Sequence, residues 1–91
     1  MDSERLNPAE GLGVAHPGIE IDPSVCGSAA TIVGTRIPVW VLEQARRLGM
    51  SEADLLRAYP SLRAEDLANA WAYARGHRDE IAREIAESEA A

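Results

Sequence analysis

Residues 32–39, with the sequence IVGTRIPV, mark the point where this chain of 91 residues changes from one kind of structure to another. The apolar pair Ile32-Val33 is typical of a strand, and the glycine that follows is typical of a turn. Pro38 suits the first position of a helix, because its φ is fixed and it has no N–H to leave unpaired. We therefore expect extended chain before this stretch and helical chain after it.

A short β ribbon is predicted on the N-terminal side. Residues 18–21 alternate in polarity until Asp22-Pro23 ends them, which is the pattern of a half-buried strand followed by a turn. A second strand is predicted at residues 31–33. Two strands alone are barely stable in water, so the ribbon must pack on helices or pair with a second copy of itself. Residues 1–17 show no periodicity and are expected to form a flexible lead.

Three helices are predicted after Pro38. In the first, Glu43 and Arg47 pair on the side opposite an apolar stripe, and Gly49 ends the helix. The stripe consists of Val41, Leu42, Ala45 and Leu48. The second helix begins at Ser51, whose spacing to Asp54 resembles a capping box, and Tyr59-Pro60 ends it.

The third helix is predicted to start near Ala64 and to be the longest. Its inward stripe consists of Leu67, Ala70, Trp71 and Ala74. Gly76 weakens the helix, but Ile81 and Ile85 extend the same stripe, so one continuous helix to about Glu87 is expected. The predicted architecture is mainly α, a three-helix bundle preceded by a β ribbon. Residues 18–77 form the domain, and residues 78–91 form a C-terminal helical extension.

Composition excludes several classes of function. The net charge is −6 and every basic residue is an arginine, so bulk charge does not favour nucleic acid, although a local arginine face still could. A lone cysteine, Cys26, and the lack of a signal-like start or a long apolar run predict a cytoplasmic protein outside any membrane. A domain this small buries little surface, which favours a homodimer.

Catalysis is not expected. His16, Cys26 and His77 are the soft metal ligands of the chain, and their spacing matches no zinc site. No glycine-rich loop or orienting acid stands at a motif spacing from a Cys-His pair. We therefore predict no metal, no cofactor, no small-molecule substrate and no enzymatic activity.

Several motifs together resemble one bacterial family, the domain of unknown function 433. They are GTRIPVW at 34–40, LGMS at 48–51, YPSL at 59–62, EDL at 65–67 and AYA at 72–74, and the similarity covers roughly residues 19–77. The resemblance implies a homeodomain-like helix-turn-helix preceded by a β ribbon. It also implies a VapB-like antitoxin of a type II toxin–antitoxin module, which binds a PIN-like ribonuclease toxin and autoregulates its operon through operator DNA.

The chain departs from the family pattern near the ribbon and at the third helix. Residues 27–30, GSAA, replace the family's usual Gly-Gly-Lys-Pro, and Val33 replaces a basic residue, so two positive charges are absent. Arg63 stands where relatives have a threonine that would cap the third helix. We expect the cap to be lost while a positive charge is gained.

Candidate site residues follow from the predicted helices and the resemblance. The DNA-binding candidates Arg57, Arg63, Asn69 and Arg75 lie on or beside the second and third helices, and each could equally be an ordinary solvated residue. Glu65 and Asp66 oppose phosphate binding at the start of the third helix.

Other residues are expected to contact protein. Arg36 is interpreted either as a contact to phosphate or to an acidic partner or, preferably, as a structural residue that donates to carbonyl groups where strand becomes helix. Trp40, Trp71 and Tyr73 are expected to be core or subunit contacts. If the chain is an antitoxin, Ile81, Ile85 and Glu84 are the candidate toxin-binding residues; otherwise residues 78–91 are a solvated helix.

Two alternatives to the antitoxin remain. One is a stand-alone DNA-binding transcriptional regulator without a toxin partner, and the other is a structural interaction module.

Overall fold

The computed structural model describes residues 16–21 and 29–90. Residues 1–15 of the predicted lead at 1–17 and the predicted turn at Asp22-Pro23 lie outside these ranges. Within them the chain is mainly helical, as predicted, with a two-stranded antiparallel ribbon before the helices. The elements are β1 (Ile19–Ile21), β2 (Ala30–Ile32), α1 (Val39–Arg47), α2 (Glu52–Ala58), α3 (Ala64–Gly76) and α4 (Arg78–Ala90).

The ribbon pairs Ile19 with Ile32 and Ile21 with Ala30. Ile19 and Ile32 are buried and Glu20 is exposed, so the alternation in the sequence predicts the inward face correctly. The second strand begins and ends one residue earlier than expected, which leaves Val33 outside it and 51% exposed. The ribbon packs on the helices, β1 against α3 and β2 against α1.

Helix α1 begins directly after Pro38, which precedes the first helical residue by one position and has extended backbone. Gly49 ends the turn after α1 with a φ of +100°, as expected for a glycine that reverses the chain. The predicted inward stripe is correct at Leu42 and wrong at Leu48, which is 79% exposed. Leu48 is the C-cap, where the chain has already left the helical path.

Helices α2 and α3 begin where the sequence predicts. Leu55 of α2 and Leu67, Ala70 and Ala74 of α3 are buried, while Trp71 is half-buried. Tyr73 is buried as well, at 2% exposure, which confirms its expected place in the core.

The prediction of one helix from Ala64 to about Glu87 is wrong. Helix α3 ends at Gly76, and His77 has φ −136° and ψ 45°, so the axis changes direction before Arg78 starts α4. Because of this break, α4 packs on α1 and buries Ile81 and Ile85 there. The region is therefore a packed fourth helix and not a solvated extension of the third.

Helix α1 is the centre of the fold. It contacts α2, α3, α4 and β2, and its residues Val39 and Leu42 are completely buried. No helix in the described ranges is long and apolar enough to cross a lipid bilayer.

Replacement of Ile81 by alanine is expected to lower the free energy of unfolding by about 2–4 kcal/mol, because it removes a buried aliphatic group and leaves a cavity. The measurement is urea denaturation followed by circular dichroism. Glu87→Ala, on the exposed side of the same helix, should change the free energy by no more than about 0.5 kcal/mol. Equal effects of the two substitutions would contradict the packing of α4 on α1.

Candidate protein- and nucleic-acid-binding surfaces

The first candidate surface is formed by α2, α3 and the turn between them. The Ser51 hydroxyl accepts a hydrogen bond from the Asp54 N–H at 3.1 Å, and the Asp54 carboxylate accepts one from the Ser51 N–H at 3.2 Å. This reciprocal capping box confirms the predicted start of α2. The hydrogen bonds from Ser51, and then the charge of Arg57, hold the pKa of Asp54 below its usual range.

The start of α3 has only half of such a cap. The Asp66 carboxylate accepts a hydrogen bond from the Arg63 N–H at 2.9 Å. The Arg63 side chain has no acceptor atom, so it cannot return the bond to the helix, and no side-chain cap is formed. The lost cap follows the sequence expectation, and it leaves the Arg63 guanidinium exposed beside the turn.

The structure separates the four DNA-binding candidates into different environments. Arg57 forms an ion pair with Asp54, and Arg63 and Arg75 are exposed at opposite ends of α3, about 18 Å apart along its axis. Asn69 is half-buried against the ribbon, where a Cβ on Gly18 would lie only 2.5 Å from its Nδ2 atom. The Asn69 amide is therefore less accessible to DNA than a position on the open side of the helix would be.

Between its two terminal arginines, α3 exposes few groups that could read bases. The exposed residues of its first half are Ala64, Glu65 and Ala68. Methyl groups and a carboxylate offer little to phosphate groups or to most base edges.

Arg36 lies in the turn between β2 and α1 and has a φ of +61°, the only positive φ of a non-glycine residue in the described ranges. The surrounding turn is fixed by the Thr35 hydroxyl, which donates to the Ile32 carbonyl at 2.9 Å and accepts from the Ile37 N–H at 3.0 Å. The Arg36 side chain is exposed and has no hydrogen-bond partner among the described residues. No donation from Arg36 to a carbonyl group is seen among the described residues, and both interpretations of this residue stay predictions.

The toxin-binding candidates lie on two sides of α4. Ile81 and Ile85 are 1% and 6% exposed and belong to the core of the protein itself. They could contact a partner only if α4 left α1. Glu84 is half-buried, and its Oε1 atom is buried without a hydrogen-bond partner among the described residues. Burial, and next the charge of Glu80, raises the pKa of the Glu84 carboxyl.

An aromatic cluster at the junction of α3 and α4 has no obvious signal in the sequence. The Tyr73 and His77 rings stack with centroids 3.9 Å apart, and His16 meets each of them edge-on at 5.0 Å. The Tyr73 hydroxyl donates to Glu80 at 2.7 Å, and burial together with this bond raises the pKa of the phenol. Tyr73 is therefore a neutral hydrogen-bond donor.

This cluster brings His16 and His77 together, which are two of the three soft metal ligands and lie far apart in the sequence. Cys26 lies outside the described residues. Within those ranges no group of three or more histidine, cysteine, aspartate or glutamate side chains could hold a metal ion.

A second feature not anticipated from the sequence is the buried carboxylate of Glu43. Its pairing with Arg47 is confirmed, at 3.0 Å, but its predicted place on the outer side of α1 is wrong, because Glu43 is only 6% exposed. Arg46 adds two further bonds, Nε and Nη2 to Oε1, at 3.1 and 2.8 Å. The guanidinium of Arg46 also lies over the Trp71 ring, 4.8 Å from its centroid.

Glu43 forms the floor of an open groove between α1, the end of α3 and the start of α4, with a volume of about 400 Å³. We call it the arginine groove, because Arg46, Arg47, Arg75 and Arg78 all line it. The sequence contains a partial signal for it, the spacing of Arg46 and Arg47 three and four residues after Glu43.

These features define a small helical domain with a β ribbon, whose distinguishing groups are charged side chains on its surface. The chain belongs to the family described as protein of unknown function (DUF433), whose model matches residues 19–74. This match confirms the family resemblance of the sequence motifs.

A solved relative agrees with this assignment. The crystal structure of a DUF433 member protein from Anabaena variabilis is similar to this chain, with 49% sequence identity and a TM-score of 0.72. The similarity covers 76% of this chain and 68% of that protein. Comparison with curated proteins gives no match.

Replacement of Arg36 by glycine is expected to leave the free energy of unfolding unchanged or to raise it by up to about 1 kcal/mol, because glycine adopts a positive φ without a Cβ clash. Arg57→Gly, in the helical backbone of α2, should lower it by about 1 kcal/mol. Urea denaturation measures both. An equal loss for Arg36→Gly would show that the Arg36 side chain stabilises the fold after all.

Replacement of Glu84 by glutamine is expected to stabilise the protein at neutral pH. Folding raises the pKa of this carboxyl, so the folded state binds more protons and loses stability as the pH rises through that pKa. The difference between the variant and the wild type should shrink below the ordinary pKa of 4.5, where both side chains are neutral.

Urea denaturation at a series of pH values is the measurement, and Glu65→Gln, at an exposed helical position of α3, is the control. A destabilising effect of Glu84→Gln at neutral pH would contradict the burial of the Glu84 carboxyl.

Proposed function

We propose that this protein is the antitoxin of a cytoplasmic type II toxin–antitoxin module. It acts by binding and not by chemistry, inhibits a PIN-like ribonuclease toxin, and binds its operator DNA as a homodimer. The observation that carries the toxin-binding part is the charge of α4. Five acidic residues and two arginines occur in this helix, and its apolar side chains Ile81 and Ile85 face inward.

An acidic helix is a suitable inhibitor of a ribonuclease. An enzyme that binds RNA needs a basic surface for the phosphate backbone, and an acidic helix can occupy that surface by charge complementarity. Glu87 and Glu89 are exposed near the end of α4, and Glu80 and Glu84 are half-buried nearer its start. The toxin would thus contact the outer side of the helix.

A second possible mode of toxin binding is insertion of Ile81 and Ile85 into a groove on the toxin. It requires α4 to leave α1, which exposes two isoleucine side chains at a cost of about 1.5–3 kcal/mol each. Contact through the acids needs no such rearrangement. We therefore favour the outer side of α4, with Glu84 at its edge, as the toxin-binding surface.

The operator-binding part of the proposal rests on α2, α3 and the turn between them. Arg57 and Arg63 flank the turn and Arg75 ends α3, so they could contact phosphate groups on either side of a groove of DNA. A homodimer would place two copies of α3 on a palindromic site. Because the exposed side of α3 offers little except alanines and Glu65 to base edges, we expect the arginines to recognise DNA by its shape and backbone and not by direct base readout.

The same helices favour a second candidate, a DNA-binding regulator without a toxin. Steep salt dependence of binding to its own upstream DNA, in the absence of a ribonuclease neighbour, would support this candidate. A chain that binds neither a toxin nor DNA would instead be a structural interaction module.

Co-purification of the tagged protein with the product of the gene immediately downstream, followed by an RNase assay of that product alone and in complex, tests the antitoxin proposal. The wild type is expected to form a stable complex that abolishes RNA cleavage. Glu87→Arg, which reverses a charge on the outer side of α4, should weaken the complex by about tenfold or more, because a like charge then faces the basic surface of the toxin.

Glu65→Arg is the matched control, since it makes the same charge change on an exposed helical position of α3. Equal weakening by both variants would place the toxin contact elsewhere, and the absence of any complex would refute the antitoxin. Truncation after Arg78 is a poor test, because it removes Ile81 and Ile85 from the core and unfolding would mimic lost binding.

A further inference from the structure

The arginine groove has no role in the proposed toxin contact. Four of the nine arginines of the chain line it, in a protein whose net charge is −6. The acids at the groove are Glu43 and Asp79. Positive charge is thus concentrated at one place on an otherwise acidic protein.

Glu43 holds two of these arginines in place. Its Oε1 atom accepts from Nε and Nη2 of Arg46, and its Oε2 atom accepts from Nε of Arg47. The guanidinium of Arg46 also lies over the Trp71 ring. An arginine fixed in this way loses little further entropy when it binds a ligand.

Several donors at the groove remain available. Arg47 uses only its Nε atom on Glu43, so both terminal nitrogen atoms are left to bind a ligand. Arg75 and Arg78 are exposed at the other wall and form no ion pair with any described residue. Within the described part of the chain, Arg47, Arg75 and Arg78 therefore keep both terminal nitrogen atoms without a carboxylate partner, whereas Arg46 commits one of its two to Glu43.

The number and geometry of these donors match a phosphate group. A carboxylate is planar and is satisfied by a single guanidinium fork, whereas the oxygens of a phosphate point in several directions and accept from several forks. Guanidinium groups on two walls of one groove therefore suit a phosphate better than a carboxylate. Glu43, beneath the arginines, already supplies the carboxylate that Arg46 and Arg47 need.

We propose that the arginine groove binds a phosphate group, through Arg47 on one wall and Arg75 and Arg78 on the other, with Glu43 as the positioning residue. The phosphate is either free inorganic phosphate or part of a nucleic-acid backbone. A site for free phosphate goes beyond the proposed function. A site for a nucleic-acid backbone deepens its operator-binding part, in which Arg75 contacts phosphate groups, and rests on that proposal.

The test is a titration of the full-length protein with inorganic phosphate, followed by NMR of the arginine Nε–Hε signals, with chloride at equal ionic strength as the control. Phosphate should cause saturable shifts of Arg47, Arg75 and Arg78 that chloride does not cause. Arg78→Gln should weaken binding about tenfold, because it removes one charge-assisted contact. Arg83→Gln, outside the groove on the same helix, should leave binding unchanged.

Arg75→Gln provides a second groove variant on a different helix and should weaken binding to a similar extent. Shifts that do not saturate, shifts that chloride reproduces, or equal weakening by Arg78→Gln and Arg83→Gln would overturn the proposal.

A parallel titration with a short DNA duplex distinguishes the two sources of phosphate. Tighter, salt-dependent binding of the duplex that Arg78→Gln weakens supports a backbone site. Saturable binding of inorganic phosphate alone supports a site for the free anion.

Discussion

The burial of the inner face of α1 is the constraint on which the structure depends. Val39 and Leu42 have no exposed surface, and α2, α3, α4 and β2 all pack on this helix. The helix has nine residues, so it is too short to be stable alone and needs those neighbours. The neighbours need it equally, since a two-stranded ribbon and a seven-residue helix have no independent stability.

The charge pattern of the surface follows from the same packing. Glu43 follows Leu42 on α1, and when α4 covers this part of the helix the carboxylate is buried with it. A buried carboxylate requires cationic partners, and Arg46 and Arg47 provide them from one turn further along. The arginine groove thus follows from the packing of α4 on α1, because the buried Glu43 carboxylate needs Arg46 and Arg47 as partners. Asp79, Glu87 and Glu89 of α4 are exposed for the same reason, because the isoleucines of this helix occupy its inner side.

Family membership and the proposed function rest on different grounds. The family follows from a match over residues 19–74 and from a related crystal structure of similar fold. The antitoxin proposal rests on the charge of α4 and on the α2–turn–α3 arrangement. The Arg36 turn adds a third accessible charged group, held in a backbone conformation that costs energy and has no partner among the described residues.

Local signals in the sequence determined most of the fold. Gly49, the Ser51 capping box and the periodicities of the ribbon and helices act within a few residues, so they could be identified without knowledge of the whole chain. Tertiary packing decided the rest. The turn of the chain at His77, the burial of Glu43 and the meeting of His16 with Tyr73 and His77 all depend on residues distant in sequence. A helical pattern that runs past Gly76 does not reveal whether the axis bends there, because the free energy gained by packing Ile81 and Ile85 on α1 arises only once both helices exist.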